Sequence, residues 1–514
     1  MKKAMALLLT LAMGLTLTAG CGSGGSSTGD TAAGSNGAAN SDAAGVDTQG
    51  GDDAAKAVGD EETVQLTLYM ASSGTMEDAD LVAEKVNEYI KPLINAEVSL
   101  NYINMGSYSE QVGLMIRSGE SIDVLFALET DARNYIRQEA VLPLDDLLAE
   151  YGEGIVDQIG ADNLEAARVN GSIYSLPSLK DMAISRMFIY DQAIADELNL
   201  DFSNVKTIED LTPIFEQVKA AYPEMTMFGG AGGNSVNFYN WDWDPLSDSL
   251  GVLMDNGQAL EVVNLFETDE YSQLCHLMRE WYEAGYIEKD FATSTETWNS
   301  RMKAGTSFGG VTSYKPGAMV SVNTQVGKEC GYVVLTEPLS YTSSIVNTNW
   351  MIPSASEHPE KAMEFMRLMY TDPVVANLLI YGIEGVHYEE NEDGTISYID
   401  FENSKYQQNL GWAYGNQFIT KVVEGNDLEV YEQTREFNNS AIKSQALGFS
   451  FDNSSVVNEL TACTNVMNKY RTSLECGDVD PDEVIPKFNE ELKEAGIEKI
   501  IAEKQRQLDE WAQQ

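Results

Sequence analysis

The sequence predicts an α/β protein whose folded body begins with a parallel sheet covered by helices. Three observations predict this class. Apolar alternation starts at residue 64, strand and helix patterns then follow each other in turn, and the segment Val124–Leu128 is apolar without interruption, as expected for a strand buried on both faces. The order strand, helix, strand, helix, strand is typical of parallel sheets.

The first strand is predicted from four apolar residues that alternate with polar or amphipathic ones, namely Val64, Leu66, Leu68 and Met70. After the turn at Ser72-Ser73-Gly74, Thr75 and Asp78 form a capping-box pattern. A helix is predicted to follow, because apolar residues recur at helical spacing at Leu81, Val82, Val86, Tyr89 and Ile90.

The next elements are a strand at 98–103, a helix at 108–118, the strand at 124–128 and a helix leading to Leu142. Ligands of such sheets bind beyond the carboxyl ends of the strands. We therefore expect Ser73, in the loop 71–74, and Glu129, in the loop 129–131, to be candidates for ligand contact.

The N-terminal residues 1–20 have the pattern of a signal peptide, with Lys2 and Lys3 before an uncharged stretch that is too short to span a membrane. The segment ending Leu17-Thr18-Ala19-Gly20-Cys21 resembles the lipobox of bacterial lipoproteins, although Thr18 stands where leucine is usual. The resemblance implies palmitate-type acylation at Cys21 and anchoring to the outer face of the cell membrane.

Residues 21–60 are expected to form a disordered tether, because they consist almost entirely of glycine, serine, alanine, aspartate, asparagine and threonine. The formal charge is −49, from 81 acidic and 32 basic residues, which disfavours nucleic acid as a partner. Of the remaining cysteines, Cys463 and Cys476 are too far apart along a predicted helix to form a disulfide. A bridge between Cys275 and Cys330 stays open, with buried free thiols preferred.

Several collinear segments resemble the family 1 extracellular solute-binding proteins of ABC importers, to which the maltose-binding protein belongs. They include Asp123–Phe126, Val141–Leu148, Asn170–Pro177, Met187–Asp191, Thr207–Leu211 and His358–Phe365. The closing segments resemble the LipO-like subgroup, namely Tyr381–Tyr388, Gly448–Asp452 and Ala495–Trp511.

The resemblance implies a two-lobed periplasmic-binding-protein fold of type II, with a hinge that the chain crosses three times, near 178–185, 338–347 and 430–442. Lobe one is expected to comprise residues 61–180 and 345–435. Lobe two is expected to comprise residues 181–344 and 436–514, including a C-terminal helical tail whose apolar residues recur at helical spacing from Ile497 to Trp511.

Sugar sites combine aromatic planes with carboxylates and amides. The segment 238–244 concentrates such groups, so Tyr239, Trp241 and Trp243 are candidates, with an aromatic cluster that caps a lobe core as the alternative. Trp350 is a candidate because it follows a predicted hinge crossing. Further candidates are Asp181, Trp298, Glu384 and Trp412, whereas Trp281 and Trp511 are expected in a core.

Motifs of enzymes and metal sites lack the context that they require. Gly305–Gly309 fits G-x-S-x-G, but a short strand rather than a nucleophile elbow is expected there. The glycine run 229–233 has no following Gly-Lys-Ser/Thr. The acids near Asp480 lack the glycine of a calcium loop, so a helix start with acidic residues explains them better. We expect no cofactor and no metal.

The sequence therefore predicts a monomeric, lipid-anchored extracellular protein that captures a small solute, an oligosaccharide by preference, and presents it to ABC permease subunits. Two alternatives stay open. A binder of a nonsugar solute such as a peptide would share the fold, and a surface-anchored glycoside hydrolase would share the export signal and an aromatic cleft.

Overall fold

The computed structural model describes residues 62–228, 242–294, 296–408 and 410–513. Its strands are β1 Val64–Ser72, β2 Ala96–Asn104, β3 Val124–Leu128, β4 Arg168–Val169, β5 Ser172–Ile173, β6 Leu176–Pro177, β7 Ser185–Asp191, β8 Val252–Leu253, β9 Val262–Val263, β10 Gly309–Tyr314, β11 Cys330–Val334, β12 Leu339–Ser340, β13 Thr348–Met351, β14 Tyr388–Glu390, β15 Ile396–Tyr398 and β16 Ile442–Lys443.

The α-helices are α1 Ala79–Ile94, α2 Met105–Ser118, α3 Glu129–Arg137, α4 Asp145–Tyr151, α5 Ile155–Ile159, α6 Ala161–Glu165, α7 Gln192–Leu198, α8 Thr212–Ala221, α9 Met254–Gly257, α10 Asp269–Glu283, α11 Trp298–Ala304, α12 Ala318–Val326, α13 Thr342–Ile345, α14 Pro359–Thr371, α15 Pro373–Tyr381, α16 Val430–Ser440, α17 Val457–Glu475, α18 Pro481–Ala495 and α19 Ile497–Trp511.

Lobe one is built on a five-stranded sheet of order β2-β1-β3-β13-β6. As predicted, β1 pairs in parallel with β2 and β3, whereas β13 runs antiparallel to β3. Leu66, Leu68 and Met70 are buried, which confirms the face predicted from their alternation. The predicted capping box is wrong, because α1 begins at Ala79 with Asp78 as its N-cap residue and without a side-chain cap bond.

Lobe two contains a three-stranded antiparallel sheet of order β10-β7-β11. Its core includes Phe188, Phe215 and Trp281, so the expected core position of Trp281 is confirmed. The G-x-S-x-G segment leads into β10, and Ser307 is buried with its hydroxyl donating to the carbonyl oxygen of Gly309 at 2.9 Å. The expected strand is therefore present, and this hydroxyl is engaged by the backbone.

The chain passes between the two sheets at three places, between β6 and β7, between β11 and β13, and between the end of lobe one and β16. At the second and third crossings, β12 and β16 pair in parallel through Leu339–Ile442 and Ser340–Lys443. Asn438 also ties the first crossing to the third, because its side-chain oxygen accepts from the amide of Met182 at 2.8 Å. The residue limits assigned to each lobe stay a prediction.

The C-terminal tail consists of α17, α18 and α19. Ile497, Ile500 and Leu508 are buried, as their spacing predicts, and α19 packs on β9 and α17 of lobe two. Asp480 is the N-cap residue of α18 and accepts from the amide of Asp482, which confirms a helix start at this acidic cluster. The helices of the described ranges include none that is long and apolar enough to cross a membrane.

The four cysteines within the described residues, Cys275, Cys330, Cys463 and Cys476, are buried free thiols. This confirms the preferred interpretation of the sequence. Burial raises the pKa of the thiols of Cys330 and Cys463 to about 11, so both stay protonated and unreactive at neutral pH.

Candidate ligand-binding cleft

A cavity of about 370 Å³ lies where the two lobes meet the hinge, and we call it the cleft cavity. Lobe one contributes most of its wall, the hinge contributes Asp181 and the start of α16, and lobe two contributes Lys315, Pro316 and Gly317. Its volume falls in the range of roughly 300–1,000 Å³ that is usual for small-molecule sites. A solute in the cleft cavity would therefore touch both lobes.

Aromatic side chains dominate the lobe-one wall. Tyr398 and Phe401 lie with their ring centroids 4.8 Å apart, and Phe401 remains exposed to solvent. Trp412 is partly exposed on the same wall, with the ammonium group of Lys180 5.6 Å from its ring centroid. Phe418 also lines this wall, and the guanidinium carbon of Arg435 lies 4.7 Å from the centroid of its ring. Such planar faces suit the C–H faces of sugar rings.

Hydrogen-bonding groups stand beside these rings. Asp181 forms an ion pair with Lys315 at 2.9 Å, which joins the hinge to lobe two at the cavity wall. The side-chain amide of Gln417 makes no hydrogen bond to another described residue, so both its donor and its acceptor are available to a ligand. Burial raises the pKa of Tyr398 to about 12, which keeps its hydroxyl protonated as a donor.

Two of the sequence-predicted candidates, Asp181 and Trp412, line the cleft cavity. Trp298 instead begins α11 and packs against the sheet of lobe two near Gly310. Ser73 is exposed just beyond β1, and Glu384 is exposed next to β14. Tyr239, Trp241 and Cys21 lie outside the described residues.

Trp350 does not face the cleft cavity as expected, because it lies on β13, which has a paired strand on each side. Its ring is fully buried between Phe126, at 5.8 Å between centroids, and Tyr414, at 5.6 Å. Its indole N–H donates to the carbonyl oxygen of Ala413 at 2.9 Å. In this structure Trp350 is a core residue and offers no ring face to a solute.

Trp243 is likewise in a core rather than on a stacking platform. Only 1% of its surface is exposed, and it packs with Leu250, Phe266 and Ile500 under the C-terminal helices. The alternative interpretation of this segment, an aromatic residue that caps a lobe core, therefore describes Trp243 in the structure.

Glu129 lies at a different contact between the lobes, which we call the interlobe joint and which comprises Glu129, Arg133, Ser247, Ser343 and Ser450. The Oε1 atom of Glu129 accepts from Arg133 at 2.6 Å, from Ser343 at 2.9 Å and from Ser247 at 3.3 Å. Arg133 donates onward to Ser450 at 2.9 Å. This carboxylate oxygen is thus engaged within the protein.

Sequence reasoning missed the aromatic residues Tyr398, Phe401, Phe418 and Tyr431. Phe401 and Phe418 lie in short 3-10 helices, Tyr398 ends the three-residue strand β15 and Tyr431 lies in the first turn of α16, and at these positions local spacing does not show which way a side chain points. The sequence indicates an aromatic site here only through its composition, because aromatic residues recur through 398–431.

The described residues contain no cluster of three or more histidine, cysteine, aspartate or glutamate side chains that could hold a metal ion. His387 is buried in lobe one, where its Nδ1 accepts from the amide of Ile383 at 2.9 Å. Its Nε2 lies 3.3 Å from Asp78. The arrangement that remains is a hinged, two-lobed body around an aromatic and polar cavity, which defines a solute-binding protein.

Comparison with known families agrees with this class. Residues 83–376 match the family described as bacterial extracellular solute-binding protein, and the chain belongs to this family. Residues 445–513 match a domain of unknown function, DUF3502.

Individual relatives extend the match over most of the chain. A carbohydrate ABC transporter substrate-binding protein of Streptococcus pneumoniae is 28% identical over 449 residues, which cover 85% of this chain and 88% of the relative. Lipoprotein LipO of Bacillus subtilis is 21% identical over 48% of this chain and 50% of its own length.

The fold is also that of a solved structure. The crystal structure of the N-glycan transport solute binding protein NgtS from Streptococcus pneumoniae is 26% identical and covers 88% of this chain and 99% of its own, with a TM-score of 0.79. The same protein in complex with Man5GlcNAc covers the same shares with a TM-score of 0.66. The type II periplasmic-binding-protein fold is thereby confirmed.

Proposed function

We propose that this protein captures a neutral oligosaccharide in the cleft cavity and delivers it to the permease subunits of an ABC importer. The observation that carries the proposal is the composition of the cleft-cavity wall. Partly exposed aromatic rings lie beside the side-chain amide of Gln417, which is not hydrogen-bonded to another described residue, and groups of both lobes line the same cavity. The carbohydrate-binding relatives and the NgtS complexes with Man1GlcNAc and Man5GlcNAc support an oligosaccharide as the solute.

In the proposed mechanism, the bound solute shifts the equilibrium between an open and a closed arrangement of the two lobes. A solute that stacks on Trp412 and Phe418 of lobe one gains further contacts when Lys315 of lobe two approaches. Because those contacts exist only when both lobes are close, the solute stabilises the closed form by their free energy. A permease that docks on both lobes would then receive the loaded form. No covalent bond changes.

The protein is further proposed to act as a monomer at the outer face of the cell membrane, held by an acylated Cys21 and the segment 21–60. LipO is a lipoprotein by name, and the family is extracellular, which supports this placement. Metabolic labelling with a radioactive fatty acid tests it, since the Cys21→Ala variant should carry no label and should be released from the membrane.

The cleft proposal is tested by calorimetric titration with Man5GlcNAc and, in parallel, with a short peptide and a polyamine. The Trp412→Ala variant should weaken oligosaccharide binding at least tenfold, which is about 1.4 kcal/mol, whereas Trp412→Phe should retain most of the affinity because it keeps an aromatic face. Equal affinity in all three proteins would contradict the site.

The two alternative functions give different results in the same samples. Tight binding of the peptide or the polyamine, with none of a saccharide, would favour a nonsugar solute. Chromatography of the recovered oligosaccharide after long incubation should show unchanged material, and shorter products would establish a glycoside hydrolase instead.

A further inference from the structure

A second cavity between the lobes, of about 680 Å³, lies at the end of the C-terminal helix, and we call it the tail cavity. Lobe one supplies the turn between β4 and β5, and lobe two supplies Leu260, the loop 445–450 and the last turn of α19. The tail cavity and the cleft cavity share no lining residue. Nearly all of its lobe-two wall belongs to the DUF3502 segment.

Trp511 is the aromatic surface of the tail cavity. The sequence predicts a core position for this residue, but its side chain is only partly buried at the end of α19. Phe449 supports it from one side, with ring centroids 6.0 Å apart and an angle of 66° between the planes. The ring is thus held in place while part of its surface remains open.

Gly448 brings this ring close to lobe one. A Cβ atom at Gly448 would lie 3.4 Å from the carbonyl oxygen of Glu165 and 3.6 Å from Cζ2 of Trp511. Gly448 also has φ +96, a conformation that favours glycine. The loop 445–450 therefore fits closely between the indole and lobe one.

Two side-chain amides complete the polar wall from opposite lobes. Asn170, in the two-residue turn between β4 and β5, and Gln445, after β16, are both exposed. Neither side chain makes a hydrogen bond to another residue of the described ranges, so each offers a donor and an acceptor to an occupant. Gln507, in contrast, is engaged on both sides by the backbone of Asp452.

The charges of the lining residues are compensated locally. Arg168 pairs with Glu165 and with Asp145, each at 2.9 Å, and Glu510 pairs with Arg506 at 2.6 Å. An anion would find no uncompensated cation here, and the formal charge of −49 disfavours it further. An aromatic plane, free amides and compensated charges together suit a neutral molecule with many hydroxyl groups.

We propose that the tail cavity is a second saccharide site, in which a sugar ring stacks on Trp511 and bonds to Asn170 and Gln445. Since these groups belong to both lobes, an occupant also restrains the lobe separation. The proposal concerns a site apart from the cleft cavity and does not depend on which residues hold the solute there.

Equilibrium dialysis of the full chain against radiolabelled Man5GlcNAc, up to millimolar concentration, tests the proposal by counting bound molecules. We expect two molecules per chain for the wild type. Trp511→Ala should remove the molecule in the tail cavity, Trp412→Ala should weaken binding in the cleft cavity at least tenfold, and the double variant should show both changes. Gln445→Ala should weaken binding in the tail cavity at least threefold. Asp509→Asn, on the same helix but outside the cavity wall, is the matched control and should retain both.

One bound molecule in the wild type that Trp511→Ala leaves in place, or two in Trp511→Ala, would overturn the tail site while leaving the cleft proposal in place. One molecule that Trp511→Ala removes and Trp412→Ala leaves unchanged would instead support the tail site and overturn the cleft proposal. Failure of the wild type to bind the probe at all would overturn both.

Discussion

Lys504 gives the sharpest test of how the C-terminal helix holds lobe two together. Its side chain is fully buried on α19, and its ammonium group forms an ion pair with Asp248 and donates to the carbonyl oxygen of Gly251 at 3.2 Å. The segment that it holds contains Leu246, Ser247 and Ser249 with φ of 43, 79 and 61, a conformation unfavourable for these residues.

We predict that Lys504→Met destabilises the protein by about 3 kcal/mol. Methionine fills the space of the lysine stem, so the loss comes from the charge rather than from a cavity. Removing one partner of a buried ion pair costs roughly 3–5 kcal/mol, and the lower end applies because the side chain of Asp248 is 31% exposed and can be hydrated. The contact of the ammonium with the ring of Phe451, at 5.3 Å, is lost as well.

The free energy of unfolding is measured by urea titration, and hydrogen exchange locates the change. Hydrogen exchange should accelerate first in the segment 246–251, which includes Ser247 of the interlobe joint. The matched control is Lys499→Met on the same helix, whose solvent-exposed pair with Glu459 is screened by water, so this variant should lose much less stability. Adding Asp248→Asn to Lys504→Met should recover part of the loss, since no uncompensated carboxylate then remains.

A Lys504→Met variant whose stability stays within about 0.5 kcal/mol of wild type would refute this reasoning, as would equal effects of the variants at 499 and 504. The first result would mean that the segment 246–251 keeps its unfavourable conformation without the ammonium group, and the second would mean that burial of the ion pair makes no difference to its contribution.

Two further predictions concern buried polar groups. Trp350→Phe should lower the free energy of unfolding by about 2 kcal/mol in urea titration, because a buried ring shrinks and the carbonyl of Ala413 keeps only one of its two donors, the hydroxyl of Ser178; unchanged stability would contradict the core assignment. Burial raises the pKa of Asp244, so its contribution to stability is full below the unfolded pKa of 3.8 and is lost as pH rises through the folded value. The stability of Asp244→Asn relative to wild type should therefore rise as the pH increases above the unfolded pKa of 3.8, and a pH-independent difference would contradict the shift.

Local patterns in the sequence predicted local structure well. The alternation at Leu66, Leu68 and Met70 gave the buried face of β1, and the acids around Asp480 gave the start of α18. Both features depend on neighbours within a few residues, either the period of a strand or the first turn of a helix. The capping box at Thr75 failed because the chain there pairs with Tyr406 and Gln407 of a distant segment.

The candidate site was predictable only in part. Asp181 was a candidate because a carboxylate can accept hydrogen bonds from sugar hydroxyls, and Trp412 because of its residue type. The orientation of Trp350 was not predictable, because the sequence does not show that β13 would insert between β3 and β6 and enclose the ring. Phe401 and Phe418, in short 3-10 helices without a periodic signal, meet Tyr431 of α16 only through the tertiary fold.

By itself the sequence determined the order of strands and helices, the alternation of buried residues along them, and the resemblance to solute-binding proteins. The tertiary structure alone decided which aromatic residues became core and which remained open in the cleft cavity and the tail cavity. The physical reason is that burial of a side chain depends on packing partners far away in sequence, whereas the backbone periods that predict elements depend on near neighbours.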